Sequence, residues 1–208
     1  AILMQQIMRS SAFAILLILL IEGCQPILKA LYGIKNPDIE NEKNIKKIAL
    51  KYDLDTTNIV SVNSKDFIEI FSTGEIPDGA VFNSNGEHID YKQTDTSCNA
   101  DLFQFIPELN LTRQYNKTSK ANLSTELNKF SDFDGHQIEI KKKADFYLLI
   151  YWTVWTGRLN KDHVKIWEDL AKNNNNCKIE VLKVNLDFQE YWDKKERDEI
   201  IDKLSGTK

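Results

Sequence analysis

The spacing of hydrophobic residues along the chain has two periods, and each period predicts one kind of element. Apolar positions three and four residues apart indicate amphipathic helices, whereas continuous or alternating β-branched and aromatic runs indicate strands. The first pattern predicts helices over residues 37–53, 159–172 and 194–204. The second pattern predicts strands over residues 58–62, 145–151 and 179–186. The stretch from Phe67 to Phe71 fits either a helix or a strand.

Local turn signals add a hairpin and a short helix to this outline. Residues 76–82 and 87–91 flank Asn83-Ser84-Asn85-Gly86, and an Asn-Gly turn between two apolar runs predicts a β-hairpin. Residues 100–109 predict a short helix that Pro107 stops. Residues 112–125 are rich in Asn, Thr, Ser and Lys and predict a polar linker.

The order of elements in the last third of the chain predicts the fold class. The apolar run at 145–151 is bounded by charges, as expected of a strand that is buried on both faces. A predicted turn at 130–135 and a predicted strand at 137–140 precede it. Strand, helix, strand and helix then follow in order, which is typical of a parallel βαβ unit. We therefore expect an α/β fold with a central mixed sheet flanked by helices.

Charge and cysteine content narrow the classes of function. The 208 residues include 27 Lys and Arg against 31 Asp and Glu, so no excess of positive charge is present to neutralise nucleic-acid phosphates. Cys24, Cys98 and Cys177 lie far apart, and the three histidines are scattered, so we predict no metal and no other cofactor. Cys98 and Cys177 are either unreactive, joined in a disulfide, or present as one catalytic thiol.

The first residues have the pattern of an export signal. Arg9 precedes an apolar run at 12–21, which is too short for a membrane span of about 20 residues. Ile21, Gly23 and Cys24 resemble a bacterial lipobox, although Glu22 departs from it. This resemblance implies a signal peptide at 1–23, acylation of Cys24, a lipid anchor and tether at 24–40, and a membrane-anchored place in the cell envelope. The alternatives are a signal cut elsewhere and a chance cysteine.

The run from Tyr151 to Leu159 lies between a predicted buried strand and a predicted helix. It resembles the active-site loop of thioredoxin-like periplasmic redoxins, in which Trp is followed by Cys-Gly-Pro-Cys. Trp155 and Gly157 match that loop, whereas Thr156, Arg158 and Leu159 depart from it. The resemblance implies a thioredoxin-like fold with a degenerate redox loop at Trp155, Thr156, Gly157, Arg158 and Leu159. It excludes dithiol exchange there, because the reaction needs two cysteine thiols.

A second part of the resemblance lies earlier in the chain. Residues 75–86 are similar to the family's cis-proline strand and hairpin, so Pro77 is predicted to be a cis-proline. The halves of the family then occur in reversed order, with the later half at 41–111, the linker at 112–125 and the earlier half at 126–208. Two arrangements follow: one circularly permuted thioredoxin-like sheet, or two separate lobes.

The leading functional hypothesis is a redox-inactive thioredoxin-like lipoprotein that binds an envelope protein or peptide and has no catalytic residue. A divergent redoxin that uses only Cys98 or Cys177 and a purely structural envelope lipoprotein are the alternatives. Three tryptophans predict either an aromatic binding surface or core packing: Trp152, Trp155 and Trp167. Two histidine groups are candidates for proton transfer or are solvated: His136 with Asp134, and His163 with Asp162 and Glu168.

Overall fold

The computed structural model describes residues 29–72, 74–92, 99–140 and 143–206. Within these residues the strands form a seven-stranded sheet and a separate two-stranded pair. The strands are β1 (Ile39–Glu40), β2 (Ile59–Val62), β3 (Asp78–Asn83), β4 (Glu87–Ile89), β5 (Lys117–Asn122), β6 (Phe130–Ser131), β7 (Phe146–Trp152), β8 (Ile179–Asn185) and β9 (Phe188–Gln189). The predicted signal peptide and Cys24 lie outside the described residues.

The large sheet is mixed, and β7 lies at its centre. Its strand order is β5-β4-β3-β7-β8-β2-β6. β7 and β8 are parallel, as are β8 and β2, whereas β3 runs antiparallel to β7 from the Asp78–Tyr151 pair to the Asn83–Phe146 pair. Strands from before and after residues 112–125 therefore share one sheet. The predicted α/β class with a mixed sheet is confirmed.

Helices cover both faces of this sheet. They are α1 (Glu42–Lys51), α2 (Ser64–Ser72), α3 (Leu102–Glu108), α4 (Leu123–Leu127), α5 (Ile166–Lys172) and α6 (Lys194–Ser205). Buried side chains of α1, α3 and α5 pack in one apolar cluster with β7, and those of α2 and α6 pack in the other. Because both faces are covered, Leu148, Leu149 and Ile150 of β7 are almost fully buried, as the apolar run predicted.

Local differences from the prediction follow from packing. The ambiguous stretch at Phe67–Phe71 is helical in α2. Phe67 and Phe71 are four residues apart, which is about one helical turn, and their rings stack with 5.1 Å between the centroids. α3 continues through Pro107 instead of stopping there. The predicted helix over 159–172 opens as a π-helix, Asn160–Lys165, before it continues as α5. The predicted strand at 137–140 forms only a bridge between Ser131 and Gln137.

Residues 112–125 differ most from the prediction. Instead of a free linker, they include β5 and the start of α4. β5 lies at the edge of the sheet and pairs only with β4, so its polar residues do not need an apolar environment. Lys117 also pairs with Glu87 across the two strands, with 2.6 Å between Nζ and Oε2. Polar composition therefore did not exclude a strand at this position.

No helix in the part of the chain that the structure describes is both long enough and apolar enough to span a membrane.

Candidate functional site

The degenerate loop lies directly after β7. Thr153 precedes a short 3₁₀-helix, Val154–Thr156, and Gly157 ends it with φ of 62° and ψ of −129°. Residues that have a side chain rarely adopt that backbone conformation, so the position favours glycine. The sharp turn directs the chain from the buried strand into the π-helix. The loop consequently lies at the carboxyl end of the central strand.

Thr156 matches the position of the first cysteine in the redoxin resemblance. Its hydroxyl forms hydrogen bonds within the loop. The side chain is 1% exposed. Its Oγ1 lies 2.8 Å from the carbonyl oxygen of Thr153 and 3.0 Å from Oδ1 of Asn160. The Asn160 amide donates to the same carbonyl over 2.8 Å. The hydroxyl therefore holds the turn together and is closed off from any substrate.

The remaining loop residues are more accessible. Arg158 is exposed and lies beside Asp162, with 3.4 Å between Nε and Oδ2. Leu159, at the position predicted for the second cysteine, is half-buried and contributes an apolar side chain without a thiol. Trp155 is also half-buried. The surface of the loop thus combines an aromatic, a cationic and an aliphatic group.

The predicted cis-proline lies beside this loop. The Ile76–Pro77 bond is cis, which confirms the prediction. Asp78 is paired with Tyr151, so the antiparallel register brings Pro77 level with Trp152, the last residue of β7. The side-chain amide of Asn99 donates to the carbonyl oxygen of Pro77. Two features that are far apart in sequence therefore meet at one edge of the sheet.

A buried polar cluster supports the loop from the neighbouring strand. Asp187, just past β8, accepts hydrogen bonds through Oδ2 from the Val154 backbone N–H and the Asn185 amide, each over 2.7 Å. The Gln189 amide donates to Oδ1 of Asn185 over 2.7 Å. Asn185, Asp187 and Gln189 are each no more than 2% exposed. Asp187 therefore fixes the residue with which the 3₁₀-helix begins.

The environment of Asp187 disfavours its charged form. Burial raises the pKa of this carboxyl to about 7, against the opposing hydrogen bonds from Val154 and Asn185, and the nearby Glu40 carboxylate adds to the rise. Its Oδ1 atom has no hydrogen-bond partner in the structure. Sequence reasoning gave Asp187 no role. The available signal was the Asn185-Leu186-Asp187 run at the end of a predicted strand.

The segment before α1 crosses this edge of the sheet. We call residues 32–40 the strap. The backbone N–H of Arg158 donates to the carbonyl oxygen of Tyr32 over 2.7 Å, and the N–H of Lys35 donates to that of Trp155 over 2.9 Å. Further along, β1 pairs with β9. The sequence predicted a tether here, but it did not predict that this tether docks on the loop.

The described cysteine lies at the other end of the sheet. Cys177 precedes β8, whereas the loop lies near the carboxyl end of that strand. Its free thiol is 3.2 Å from the carbonyl oxygen of Leu109. Burial raises the pKa of Cys177 to about 11, and the charge of Asp145 adds to the rise. Cys98 lies outside the described residues, so a pairing of the two cysteines stays a prediction.

The two predicted histidine groups lie in different surroundings. His136 lies 3.3 Å from Oδ2 of Asp132, and both side chains are largely solvated. Asp132, Asp134 and His136 each place a ligand atom within 4.8 Å of the others on this open turn, a common arrangement of solvated groups. His163 packs against the rings of Phe103 and Trp167. His136 is therefore largely solvated, whereas His163 lies in an aromatic cluster.

The three tryptophans do not form one binding surface. Trp152 and Trp167 are 0% exposed and belong to the core, whereas Trp155 is half-buried at the loop. Packing between the sheet and its covering helices explains this difference, because Trp152 ends the central strand and Trp167 lies on the inner face of α5. Trp155 is the member of the three that remains a candidate for binding.

Residues 153–159 of the loop line neither of two cavities that the described residues enclose. One of about 550 Å³ lies between residues 137–140 and the strands β2 and β8. Another of about 450 Å³ is lined in part by Asp78, Tyr91 and Tyr151. Burial raises the pKa of Asp78, while the Gly79 N–H and the Tyr91 hydroxyl donate to this carboxyl and oppose the rise. This second cavity has a polar wall but contains no grouping that indicates a reaction.

The fold and the site together define an α/β protein whose central loop is covered by its own chain. No family model matches the chain, and no curated protein or solved structure matches it either. The contacts of the described residues are therefore the basis for the function proposed next.

Proposed function

We propose that this chain is a membrane-anchored, redox-inactive thioredoxin-like protein of the bacterial cell envelope, which acts by binding an extended segment of a protein or peptide. One observation carries the proposal. β3, which follows Pro77, pairs antiparallel with β7, and β7 leads into a strand-to-helix loop in which Thr156 and Leu159 match the two cysteine positions of the redoxin resemblance.

The sheet around the loop supports the thioredoxin-like part of the proposal. β7 leads through the loop into a helix and then into the parallel strand β8. On its other side β7 pairs with β3, the strand that follows the cis-proline. A redoxin core needs these neighbours around its loop. Here β3 precedes β7 in the chain, in agreement with the permuted arrangement instead of two separate lobes.

The chemistry of the loop supports binding over redox catalysis. Thr156 is buried and hydrogen-bonded, and Leu159 has no polar group, so neither can form a mixed disulfide. At neutral pH, Cys177 is a thiol and not a reactive thiolate, because its pKa is raised to about 11. No observation on the described residues favours the single-cysteine redoxin.

The position of the loop supports a binding role. In α/β sheets, ligands bind beyond the carboxyl ends of the parallel strands. The loop follows β7 at that end, and Asp187 follows β8 at the same end. Pro77 lies at the same end of the sheet, and Trp155 places a half-buried aromatic side chain in the loop there. This end of the sheet fits a polypeptide segment better than a small molecule, because residues 153–159 of the loop line neither of the two cavities.

Anchorage is proposed from the lipobox resemblance, in which Cys24 carries the lipid. Two or more acyl chains would hold the mature chain on a membrane, because each buried methylene contributes about 0.8 kcal/mol. Mass spectrometry of the protein extracted from bacterial membranes measures this directly. We expect a mature chain that begins at acylated Cys24. An unmodified Cys24 in the membrane-extracted protein would refute the anchor and leave the binding proposal standing.

Binding is tested with a fluorescein-labelled, reduced and carboxymethylated α-lactalbumin, which stays extended in solution. We expect saturable binding by fluorescence anisotropy, and about a fivefold loss of affinity in Trp155→Ala, as removal of an aromatic contact produces. The matched control is Leu111→Ala, which truncates a side chain that is 66% exposed and is remote in sequence from the loop. Absence of binding, or an equal loss in both variants, contradicts the proposal.

A further inference from the structure

We propose that residues 32–35 of the strap occupy the binding edge as a built-in ligand, and that an extended backbone of another polypeptide displaces them. This inference rests on the proposed function, because it specifies the ligand and the regulation of the same loop. The observation behind it is the pair of backbone hydrogen bonds between the strap and the loop.

The loop offers one backbone donor and one backbone acceptor to the strap. The Arg158 N–H donates to Tyr32, and the Trp155 carbonyl oxygen accepts from Lys35. The strap forms these bonds at the end of a helical turn, with Tyr32 helical and Gly33 at a φ of 64°. Such bonds do not depend on side chains, so the backbone of another polypeptide can form them in the same places. Backbone pairing of this kind gives affinity, while neighbouring side chains give specificity. We expect Trp155 and Arg158 to supply that specificity here.

Gly157 allows the strap to approach this closely. A Cβ atom at this position would lie 2.3 Å from the carbonyl oxygen of Tyr32 and 2.5 Å from that of Gly33. Both atoms belong to backbone, so a flexible side chain could not move to relieve the clash. The absent side chain leaves space for a crossing polypeptide. The same space would serve a partner's backbone.

The strap contacts the loop through residues 32–35 and pairs with β9 through residues 39–40. Tyr32 and Ile34 are half-buried, and residues 35–38 are exposed. Gly33 has a φ of 64°, and a Cβ there would have no neighbour within 4 Å. In contrast, β1 pairs with β9, and the Glu190 N–H donates to Glu40 over 2.8 Å. Residues 32–35 can therefore leave the loop while β1 keeps its place.

The test uses two substitutions at one exposed position in the full chain. Lys35→Pro removes the N–H that donates to Trp155, whereas Lys35→Ala keeps it. Hydrogen exchange of the Arg158 amide, measured by NMR, reports whether the strap covers the loop. We expect exchange about fivefold faster in Lys35→Pro and unchanged in Lys35→Ala, as loss of one hydrogen bond predicts. Equally fast exchange in the unmodified protein and both variants would overturn the proposal.

A synthetic peptide of residues 29–37 then tests competition. We expect it to bind Lys35→Pro about fivefold more tightly than Lys35→Ala, because the internal competitor is weakened. Equal affinities, or no binding to either variant, overturn the proposal. Gly33→Val is a second strap variant, since a β-branched residue at this positive φ is strained and has no neighbour to clash with. It should behave like Lys35→Pro.

The labelled α-lactalbumin separates failure of this inference from failure of the proposed function. If it binds both Lys35 variants equally and still loses affinity in Trp155→Ala, the strap is no competitor but the binding function stands. If the 29–37 peptide binds Lys35→Pro preferentially while α-lactalbumin binds no variant, the strap is a true occupant and the wider function fails.

Discussion

Two buried charged sites lie only a few residues apart along the chain, yet they differ in how their charge is compensated. Lys183 of β8 and Glu168 of α5 form an ion pair with 2.7 Å between Nζ and Oε1, and both side chains are at most 2% exposed. Asp187, just past the same strand, is equally buried but accepts hydrogen bonds from two neutral groups, the Val154 backbone N–H and the Asn185 amide. Its charged neighbour is another carboxylate, Glu40.

The ion pair is a completed structural contact. The second oxygen of Glu168 accepts the backbone N–H of Asp55 over 3.1 Å, so both oxygens have partners. Because Lys183 belongs to the sheet and Glu168 to a covering helix, the pair joins two layers of the fold. Removing one partner of such a pair leaves an uncompensated buried charge.

At Asp187, by contrast, only one carboxyl oxygen has hydrogen-bond partners, because Oδ1 has none. Asp187 lies where the loop begins, and Glu40 links it to the strap. Native proteins depart from full polar satisfaction mainly at functional sites. The difference between the two sites therefore indicates that the ion pair contributes to stability, whereas the cluster contributes to the loop edge at some cost in stability.

The largest effect is expected from Lys183→Met, which removes the cation of the buried ion pair. We expect it to lower the free energy of unfolding by about 3 to 5 kcal/mol at pH 7, because Glu168 would remain buried with only the exposed Lys172 as a cation nearby. Urea denaturation followed by circular dichroism measures the loss. The double variant Lys183→Met with Glu168→Gln should recover most of it, since the amide can still accept from Asp55 and carries no charge. A double variant as unstable as the single one would show that packing, not charge, is the cause.

We expect Asp187→Asn to raise the free energy of unfolding above neutral pH, whereas Lys183→Met lowers it. Unfolded, this carboxyl ionises near pH 3.9, whereas in the fold its pKa is raised to about 7. Between these values the unfolded chain has lost a proton that the fold retains. The free energy of unfolding of the unmodified protein therefore falls as pH rises from about 4 to 7.

Asparagine resembles the protonated carboxyl and removes this dependence. The stability gain of Asp187→Asn should grow from near zero at pH 4 to as much as about 4 kcal/mol at pH 8. Urea denaturation at both pH values measures it, and Asp202→Asn on the exposed face of α6 is the control. A gain that is equal at the two pH values would mean that Asp187 does not titrate in this window.

The elements that could be predicted from the sequence are those whose own residues determine their burial. The apolar run of β7 and the Asn83–Gly86 turn each carry a complete local signal, and both form as expected. β5 could not be predicted in this way, because a polar strand at a sheet edge is specified by its partner β4. The helical state of α2 likewise depends on its packing against α6.

The candidate site divides along the same physical line. The strand-to-helix loop after β7 and the cis Ile76–Pro77 bond were both predicted from short runs of residues. The ionisation of Asp187 could not be, since it depends on burial and on Glu40, far away in the sequence. Docking of the strap rests on backbone hydrogen bonds, which leave no pattern of side chains to recognise. Sequence patterns therefore located the loop but not what covers it.

A second and more exposed cation, Lys172, also lies near Glu168, and its removal should have the smallest effect on stability. Lys172 approaches the same oxygen of Glu168 at 3.8 Å and Oδ2 of Asp55 at 3.0 Å, but its side chain is 50% exposed. We expect Lys172→Ala to lower the free energy of unfolding by no more than about 1 kcal/mol, because water screens an exposed cation. The loss should also shrink in concentrated salt, measured by urea denaturation at two ionic strengths. A loss as large as that of Lys183→Met would mean that burial of the cation does not set the strength of its pairing with Glu168.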